Sequence, residues 1–203
     1  MIKCSLLLAL ITGFLVAVQP AAAQEVDTAL PVSVKGDKKS REKALPAVAE
    51  LLSRGRFLTR KKPNLKARYY GFLRSASWCV PCTMIVPKLL KDYGKMKGAK
   101  MELILLGQED EAVVKKYMKE HDYNIPGAMP AALGDIPGLQ YPGLGFPSLC
   151  IVDAEGNFVA ASGGVNMYEW KKQIQTFKKE QQKLKQQEKR EAGKLRAQEA
   201  EDS

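Results

Sequence analysis

The sequence predicts an α/β fold built on one mixed β-sheet that is flanked by helices. The order of the periodic segments carries this prediction, because two strand–helix units come first and a β-hairpin and a closing helix follow. Alternating strands and helices favour parallel strands packed against helices, whereas a hairpin requires an antiparallel pair. A chain of 203 residues, 45% of them hydrophobic, suits one such domain with additional segments at its ends.

Hydrophobic periodicity places the individual elements along the chain. Apolar runs with β-branched and aromatic residues predict strands at 56–59, 67–75, 101–106, 148–152 and 158–161. Spacings of three and four residues predict helices at 45–53, 84–93 and 110–121 and a last helix from Met167 to beyond Phe177. Pro87 is expected to kink the second of these helices. Residues 123–144 are rich in glycine and proline and are predicted to form a long loop.

The first 23 residues have the pattern of an export signal. Lys3 precedes an apolar run over residues 6–18, and alanines at 21–23 offer a cleavage site before Gln24. An uncleaved membrane anchor is the alternative, but the apolar run is short against the roughly 20 residues that a span needs. We therefore expect a periplasmic or secreted protein with no transmembrane segment in its mature chain. Cys4 would be removed with the signal.

The formal net charge is +10, and lysine and arginine crowd residues 35–68 and again the last part of the chain. Residues 24–55 form a basic lead-in with a short helix, residues 56–178 form the α/β domain, and residues 179–203 form a charged tail. The basic surface suits acidic proteins, anionic lipid or polysaccharide, or it serves solubility alone. No motif for reading nucleic acid is visible. The tail lacks a heptad repeat, so a solvated helical extension that frays into disorder is favoured over a coiled coil.

The main candidate for chemistry is a pair of cysteines separated by two residues. Cys79 and Cys82 lie directly after a predicted strand and at the start of a predicted helix. The positive end of the helix dipole favours a thiolate there, and the thiolate is the attacking species. We therefore expect Cys79 to be exposed and nucleophilic, and Cys82 to be buried and to resolve the mixed disulfide. Pro81 suits the first helical turn, and Trp78 is expected to pack beside the site.

The cysteine pair has two other interpretations, a zinc site and a structural disulfide. A structural zinc site requires four ligands, and the chain adds only Cys150 and His121, so no metal is predicted. A purely structural disulfide is the stronger alternative for an exported protein. Three cysteines in the mature chain are an odd number, which argues against a framework of structural disulfides alone.

The segment around the pair resembles the active site of the thioredoxin superfamily. Residues 75–82, Ser-Ala-Ser-Trp-Cys-Val-Pro-Cys, are similar to the active-site segment of tryparedoxins and nucleoredoxins. Its Trp-Cys-Val-Pro-Cys core also resembles that of the periplasmic TlpA-like reductases. Pro87 matches the family's kink proline, and residues 145–149, Gly-Phe-Pro-Ser-Leu, resemble its cis-proline segment. The resemblance covers residues 57–177.

This resemblance implies a thioredoxin fold and a thiol–disulfide oxidoreductase that needs no cofactor. Pro147 would be cis and lie against the cysteine pair, and Phe146 would offer its backbone to an extended substrate. Val80 and Pro81 resemble the residues between the cysteines of reductases. The partners would be protein or peptide disulfides and an unknown upstream thiol reductant. The alternative is a non-catalytic binding module with a structural disulfide and a basic partner-binding surface.

The sequence departs from thioredoxin at the position of its buried acid. Thioredoxins carry an acid there that assists proton transfer at the second cysteine, and this chain has Leu73. Glu109 follows a neighbouring strand and is a possible proton shuttle, although a solvated loop carboxylate is the simpler interpretation. Cys150 is predicted to act as a small buried apolar residue. His121 is predicted to lie at a helix C-terminus.

Overall fold

The structure, a computed structural model, describes residues 46–201. The predicted signal peptide and residues 24–45 of the lead-in therefore lie outside the described residues. The helices are α1 (Ala47–Arg54), α2 (Val80–Leu90), α3 (Tyr93–Gly98), α4 (Glu111–Glu120) and α5 (Trp170–Glu201). The strands are β1 (Tyr69–Arg74), β2 (Met101–Leu106), β3 (Gly127–Ala128), β4 (Ser148–Asp153) and β5 (Phe158–Gly163).

The five strands form one mixed sheet in the order β3-β2-β1-β4-β5. The central strand β1 runs parallel to β2 and antiparallel to β4, while β3 joins β2 in parallel and β5 joins β4 as a hairpin. Helices α2 and α4 form the two crossover connections between the parallel strands. This arrangement is the thioredoxin fold, and it confirms the predicted fold class.

Alternation along the strands divides the buried side chains between the two faces of the sheet. Leu73 and Leu105 belong to a hydrophobic cluster shared with α2, α4 and the start of α5. Phe72 and Ile104 belong to a second cluster, shared with α1 and part of the segment after β3. The cysteine pair lies in the first cluster, at the end of the sheet where β1 and β2 finish.

The predicted strand at 56–59 and the predicted loop at 123–144 both differ from the structure. Phe57 makes only an isolated bridge to Ala128, so the first segment is not a strand. The second contains β3 and a 3₁₀-helix at Pro130–Ala132. A strand of two residues is too short to give a periodic signal, and its pairing with β2 is a tertiary effect.

The helix after the cysteine pair is interrupted, where the sequence predicts one helix ending near Gly94. Helix α2 ends at Leu90, and the chain begins α3 at Tyr93. The Asp92 carboxylate accepts hydrogen bonds from Lys95 at 2.7 Å and from the indole nitrogen of Trp170 at 3.5 Å. These local contacts lower the pKa of Asp92, with the Lys95 contact as the largest cause. They stabilise the break between the two helices.

The C-terminal extension is one long helix. Helix α5 continues through Glu201, so the predicted fraying is not observed in the described chain. Its glutamine, lysine and glutamate residues are strong helix formers, which favours helix over residues 182–200, whose side chains are exposed. Leu184 and Leu195 are 50% and 58% exposed, as expected for a solvated extension. No helix within residues 46–201 combines the length and apolar character needed to cross a bilayer.

Two basic residues near the start of the α/β domain make polar contacts within the fold. Arg56 forms an ion pair with Glu111 of α4 at 2.6 Å. The Lys61 ammonium donates to the backbone oxygen and side-chain oxygen of Asn124 at 2.8 and 2.7 Å. These two cations therefore serve contacts within the chain, which leaves less of the basic charge for a partner.

Candidate functional site

The two cysteines of the predicted pair form a disulfide at the start of α2. The two sulfur atoms are 2.11 Å apart, and the Cα atoms of Cys79 and Cys82 are 5.2 Å apart. Four residues separate Arg74, the end of β1, from Cys79, which is the N-cap of α2. The strand and the helix thus place the pair at one edge of the sheet, as the sequence predicts.

The first turn of α2 directs N–H groups toward Cys79. The backbone amide of Cys82 donates to the Cys79 sulfur at 3.2 Å, and that of Thr83 donates to the Cys79 carbonyl at 3.4 Å. Pro81 occupies the first turn, where an N–H would have no helical partner. After reduction, the same amide and the helix dipole are placed to stabilise a negative charge on the Cys79 sulfur.

Cys79 is less exposed than the sequence suggests. Only 4% of its surface is exposed, and Cys82 is fully buried at 0%. The residues on either side of Cys79 are open to solvent, with Trp78 64% exposed and Val80 70% exposed. The difference arises because Cys79 caps the helix and turns its sulfur toward the backbone of Cys82. A partner chain therefore has to approach Cys79 between two exposed apolar side chains.

A second segment, residues 146–147, lies beside the cysteine loop. The Phe146–Pro147 peptide bond is cis, as the family resemblance implies. The rings of Trp78 and Phe146 meet edge to face with centroids 5.4 Å apart, and Pro147 is buried. Within residues 46–201 neither the amide nor the carbonyl of Phe146 has a hydrogen-bond partner. These free groups are available to pair with an extended chain.

Glu109 contacts the cysteine loop through Ser77. One carboxylate oxygen accepts from the Ser77 amide and the other from the Ser77 hydroxyl, both at 2.6 Å. Ser77 lies two residues before Cys79, so Glu109 contacts the segment that leads into α2. The contact makes Glu109 a candidate positioning residue, and its part as a proton shuttle stays a prediction.

A Glu109→Gln variant is expected to retain one of the two Ser77 contacts and to weaken the other. Disulfide reduction should slow by roughly threefold to tenfold, since the weakened contact is charge-assisted in the wild type but open to solvent. Stopped-flow reduction of a peptide disulfide across pH 6–9 measures the effect. A positioning role lowers the rate equally at every pH, whereas a shuttle role moves the pH profile. An unchanged rate and profile would exclude both roles.

Leu73, at the position of the thioredoxin acid, is fully buried and apolar. A set of buried hydroxyl groups begins two residues later, at Ser75. The Ser75 hydroxyl is 2.8 Å from the Tyr117 hydroxyl, which is 3.1 Å from the Tyr123 hydroxyl. Burial is the main cause that raises the pKa of Tyr123, so its hydroxyl stays protonated. His121 ends α4 as predicted, and its ring packs against both tyrosines. The polar Ser75 at the end of an apolar strand is the one feature of the sequence that points to this buried chain of hydroxyls.

Cys150 lies apart from this chemistry. It is fully buried in β4, and the amide of Gln140 donates to its sulfur at 3.3 Å. Burial raises the pKa of the Cys150 thiol to about 11, against 9.0 for an ordinary thiol. The thiol is therefore neutral at physiological pH, which agrees with its predicted role as a small apolar residue.

Cys150 is expected to resist alkylation in the folded protein. At pH 8 with iodoacetamide, native Cys150 should react at least about a hundredfold more slowly than it does in urea, because only an exposed thiolate reacts. The burial of the neutral Cys150 thiol contributes fully to the free energy of unfolding below pH 9. This contribution declines as the pH rises toward 11, because the thiol ionises in the unfolded chain before it ionises in the folded one. Mass spectrometry of timed samples gives the rates. Equal rates with and without urea would show that Cys150 is accessible.

No group of three or more histidine, cysteine, aspartate or glutamate side chains in the described chain is arranged to hold a metal ion. The candidate site consists of the disulfide, its helix start, the Phe146–Pro147 segment and the Ser77–Glu109 contact. Such an arrangement is suited to exchange between sulfur atoms.

Comparisons with known proteins relate the chain to nucleoredoxins. It is 29% identical over 127 residues to the nucleoredoxin of Xenopus laevis, an alignment covering 59% of this chain and 30% of that protein. Identity to the Homo sapiens nucleoredoxin is 27% over 139 residues, covering 65% of this chain and 30% of that protein. The alignments thus span less than a third of the length of these relatives. The chain matches no protein-family model.

Solved structures similar to this chain include two bacterial proteins. One is a thiol:disulfide interchange protein of the thioredoxin family from Chlorobium tepidum, with 22% identity, a TM-score of 0.43, and 55% of this chain and 80% of that chain covered. The other is a DsbF homologue from Corynebacterium diphtheriae, with 18% identity, a TM-score of 0.46, and 60% and 82% covered.

Proposed function

We propose that this member of the thioredoxin superfamily is a thiol–disulfide oxidoreductase that reduces or exchanges disulfides in exported proteins. The observation that carries the proposal is the Cys79–Cys82 disulfide at the N-terminus of α2, with a backbone N–H directed at the Cys79 sulfur. A helix start of this kind favours the thiolate that begins disulfide exchange. The similarity to nucleoredoxins agrees with this activity.

The proposed reaction transfers two electrons from the dithiol to a substrate disulfide. The Cys79 thiolate attacks one substrate sulfur, a mixed disulfide forms, and the second substrate sulfur leaves as a thiolate that takes up a proton. Cys82 then loses its proton and attacks the Cys79 sulfur. This step re-forms the Cys79–Cys82 disulfide and releases the first substrate sulfur as a thiol. No cofactor takes part, since the electrons pass through sulfur alone.

The side chains around the pair are assigned to substrate binding. Trp78 and Val80 present apolar surface on the two sides of Cys79. The unpaired amide and carbonyl of Phe146 would add an extended substrate segment to the edge formed by residues 146–147. Backbone pairing of this type tolerates many sequences, which suits an enzyme that acts on several proteins.

The extracytoplasmic location is inferred from the sequence of residues 1–23, whose charged start, apolar run and alanines match an export signal. Outside the cytoplasm thiols tend to be oxidised, so a reductase there needs a continuing supply of electrons. We propose that an upstream thiol reductant provides them by exchange with the Cys79–Cys82 disulfide.

The low exposure of Cys79 favours one other function, a binding module in which the disulfide is a permanent staple. The two functions differ in the reduction potential of the pair. A structural disulfide resists the glutathione pool with a potential below about −300 mV, whereas an exchange-active disulfide has a higher one.

Equilibration of the protein with dithiothreitol and glutathione buffers, followed by alkylation and mass spectrometry, measures this potential. An insulin-reduction assay with dithiothreitol as the electron source measures turnover. A potential above about −300 mV together with catalysed insulin reduction is expected. A lower potential with no turnover would favour the staple.

A further inference from the structure

Arg74 is the charged residue nearest in sequence to the cysteine loop. It ends β1 and is paired with Ser148 of β4, the residue that follows Pro147. Its guanidinium lies over the ring of Phe146 at 4.4 Å from the centroid and over the ring of Tyr141 at 4.7 Å. Arg74 therefore adjoins the same Phe146 whose backbone is free for a substrate.

Two aromatic rings hold the guanidinium in place. Contacts between Arg and aromatic faces leave the N–H groups free at the edge of the guanidinium plane. Tyr141 is itself fixed, because its hydroxyl donates to the Phe72 carbonyl at 2.7 Å. The Arg74 side chain thus loses little conformational freedom when it binds a ligand.

The charge of Arg74 is not neutralised within the protein. Among residues 46–201 no carboxylate lies within 4.0 Å of its guanidinium, and the guanidinium donates no hydrogen bond. Glu109, the acid that contacts the cysteine loop, has both oxygens on Ser77. An arginine is charged at any physiological pH and presents five donors in a planar fork. Carboxylate is the protein group that fits such a fork with two parallel hydrogen bonds.

We propose that Arg74 binds a carboxylate side chain of the substrate, so that the site prefers disulfides with an acidic residue close to the attacked cysteine. This specificity rests on the proposed oxidoreductase function. An extended segment pairing with Phe146 advances by about 3.3 Å per residue. An acidic residue within three positions of the cysteine therefore reaches Arg74, while apolar neighbours meet Trp78 and Val80.

The test uses the full chain and a set of fluorogenic peptides, each joined to a second peptide by one disulfide. A single Glu is placed at each position within three residues of the cysteine, and the matched peptide carries Gln there. We expect kcat/KM for the best Glu peptide to exceed that of its Gln partner by about tenfold at low salt. Most of the difference should be in KM, and it should shrink in 0.5 M NaCl because partly exposed charges are screened.

Variants distinguish a specific effect of Arg74 from an effect of the protein's overall positive charge. In Arg74→Met the ratio of kcat/KM for the Glu peptide to kcat/KM for its Gln partner should fall to about one, whatever the absolute rates. In Arg74→Lys the preference for Glu should be only partly retained, since Lys lacks the fork. The control is Lys88→Met, which removes an exposed cation from α2 and should leave the preference unchanged. Thermal unfolding of each variant establishes that it is folded.

The outcomes distinguish this inference from the function on which it rests. If the wild type reduces no peptide of either kind, the oxidoreductase function is wrong. If the wild type reduces Glu and Gln peptides equally, the function stands and the role of Arg74 is wrong. If the preference for Glu is lost in Lys88→Met as well, it arises from the overall electrostatic potential of the protein, and the specific role of Arg74 is wrong.

Discussion

A Cys79→Ser variant is expected to reduce insulin no faster than dithiothreitol alone, a loss of roughly a thousandfold or more. Serine keeps the size of the side chain but cannot form the thiolate that begins exchange. Neither remaining cysteine in the described chain substitutes for it, because Cys82 and Cys150 are both fully buried. The turbidity of precipitating insulin B chain gives the rate.

The matched control for this prediction is Cys150→Ala, which removes the buried free thiol outside the Cys79–Cys82 pair and should leave the rate close to that of the wild type. Far-ultraviolet circular dichroism of both variants establishes that each is folded. If Cys79→Ser retained more than about a tenth of the wild-type rate, Cys79 would not be the nucleophile of the reaction.

A Phe72→Ala variant is expected to lose about 3–5 kcal/mol of the free energy of unfolding. Phe72 is fully buried in the central strand β1, where its ring contributes to the cluster on the second face of the sheet. Truncation removes buried apolar surface and leaves a cavity that the strands on both sides prevent from closing. Because whole domains are stable by only about 5–15 kcal/mol, this is a large share of the total.

Urea unfolding followed by circular dichroism measures the loss. The matched control is Phe158→Ala in β5, since Phe158 is 37% exposed and its truncation should cost less than about 1.5 kcal/mol. Similar losses in the free energy of unfolding for the two variants would mean that the side chains on the second face of the sheet are not tightly packed around Phe72.

The fold was predictable where a signal lies within the local sequence. The buried strand Met101–Leu106 and the amphipathic helix Glu111–Glu120 agree with their periodicity to within a residue or so. The two-residue strand Gly127–Ala128 was not predictable, because it is defined by its pairing with β2 and the bridge to Phe57, which are contacts between distant segments. The break between α2 and α3 was missed as well, since it depends partly on the contact between Asp92 and Trp170, which are distant in the sequence.

The site was predictable in its sulfur chemistry but not in its surroundings. Spacing and resemblance locate Cys79 and Cys82, and the resemblance implies the cis bond before Pro147. The low exposure of Cys79 depends on how the helix cap turns its sulfur, which residue order does not specify. The contacts of the Arg74 guanidinium with the rings of Tyr141 and Phe146 are between residues about 70 positions apart in the sequence. Such contacts become visible only once the strands are placed.

In the proposed reaction Cys79 attacks a partner disulfide and Cys82 releases the product, and mixed-disulfide trapping tests both roles most directly. Reduced Cys82→Ser is mixed with a peptide disulfide, quenched with acid and mapped by mass spectrometry. We expect a mixed disulfide at Cys79 that accumulates and is released by dithiothreitol, and we expect no adduct with the Cys79→Ser variant. Absence of the Cys79 adduct, or an adduct at Cys150 in its place, would exclude Cys79 as the attacking residue.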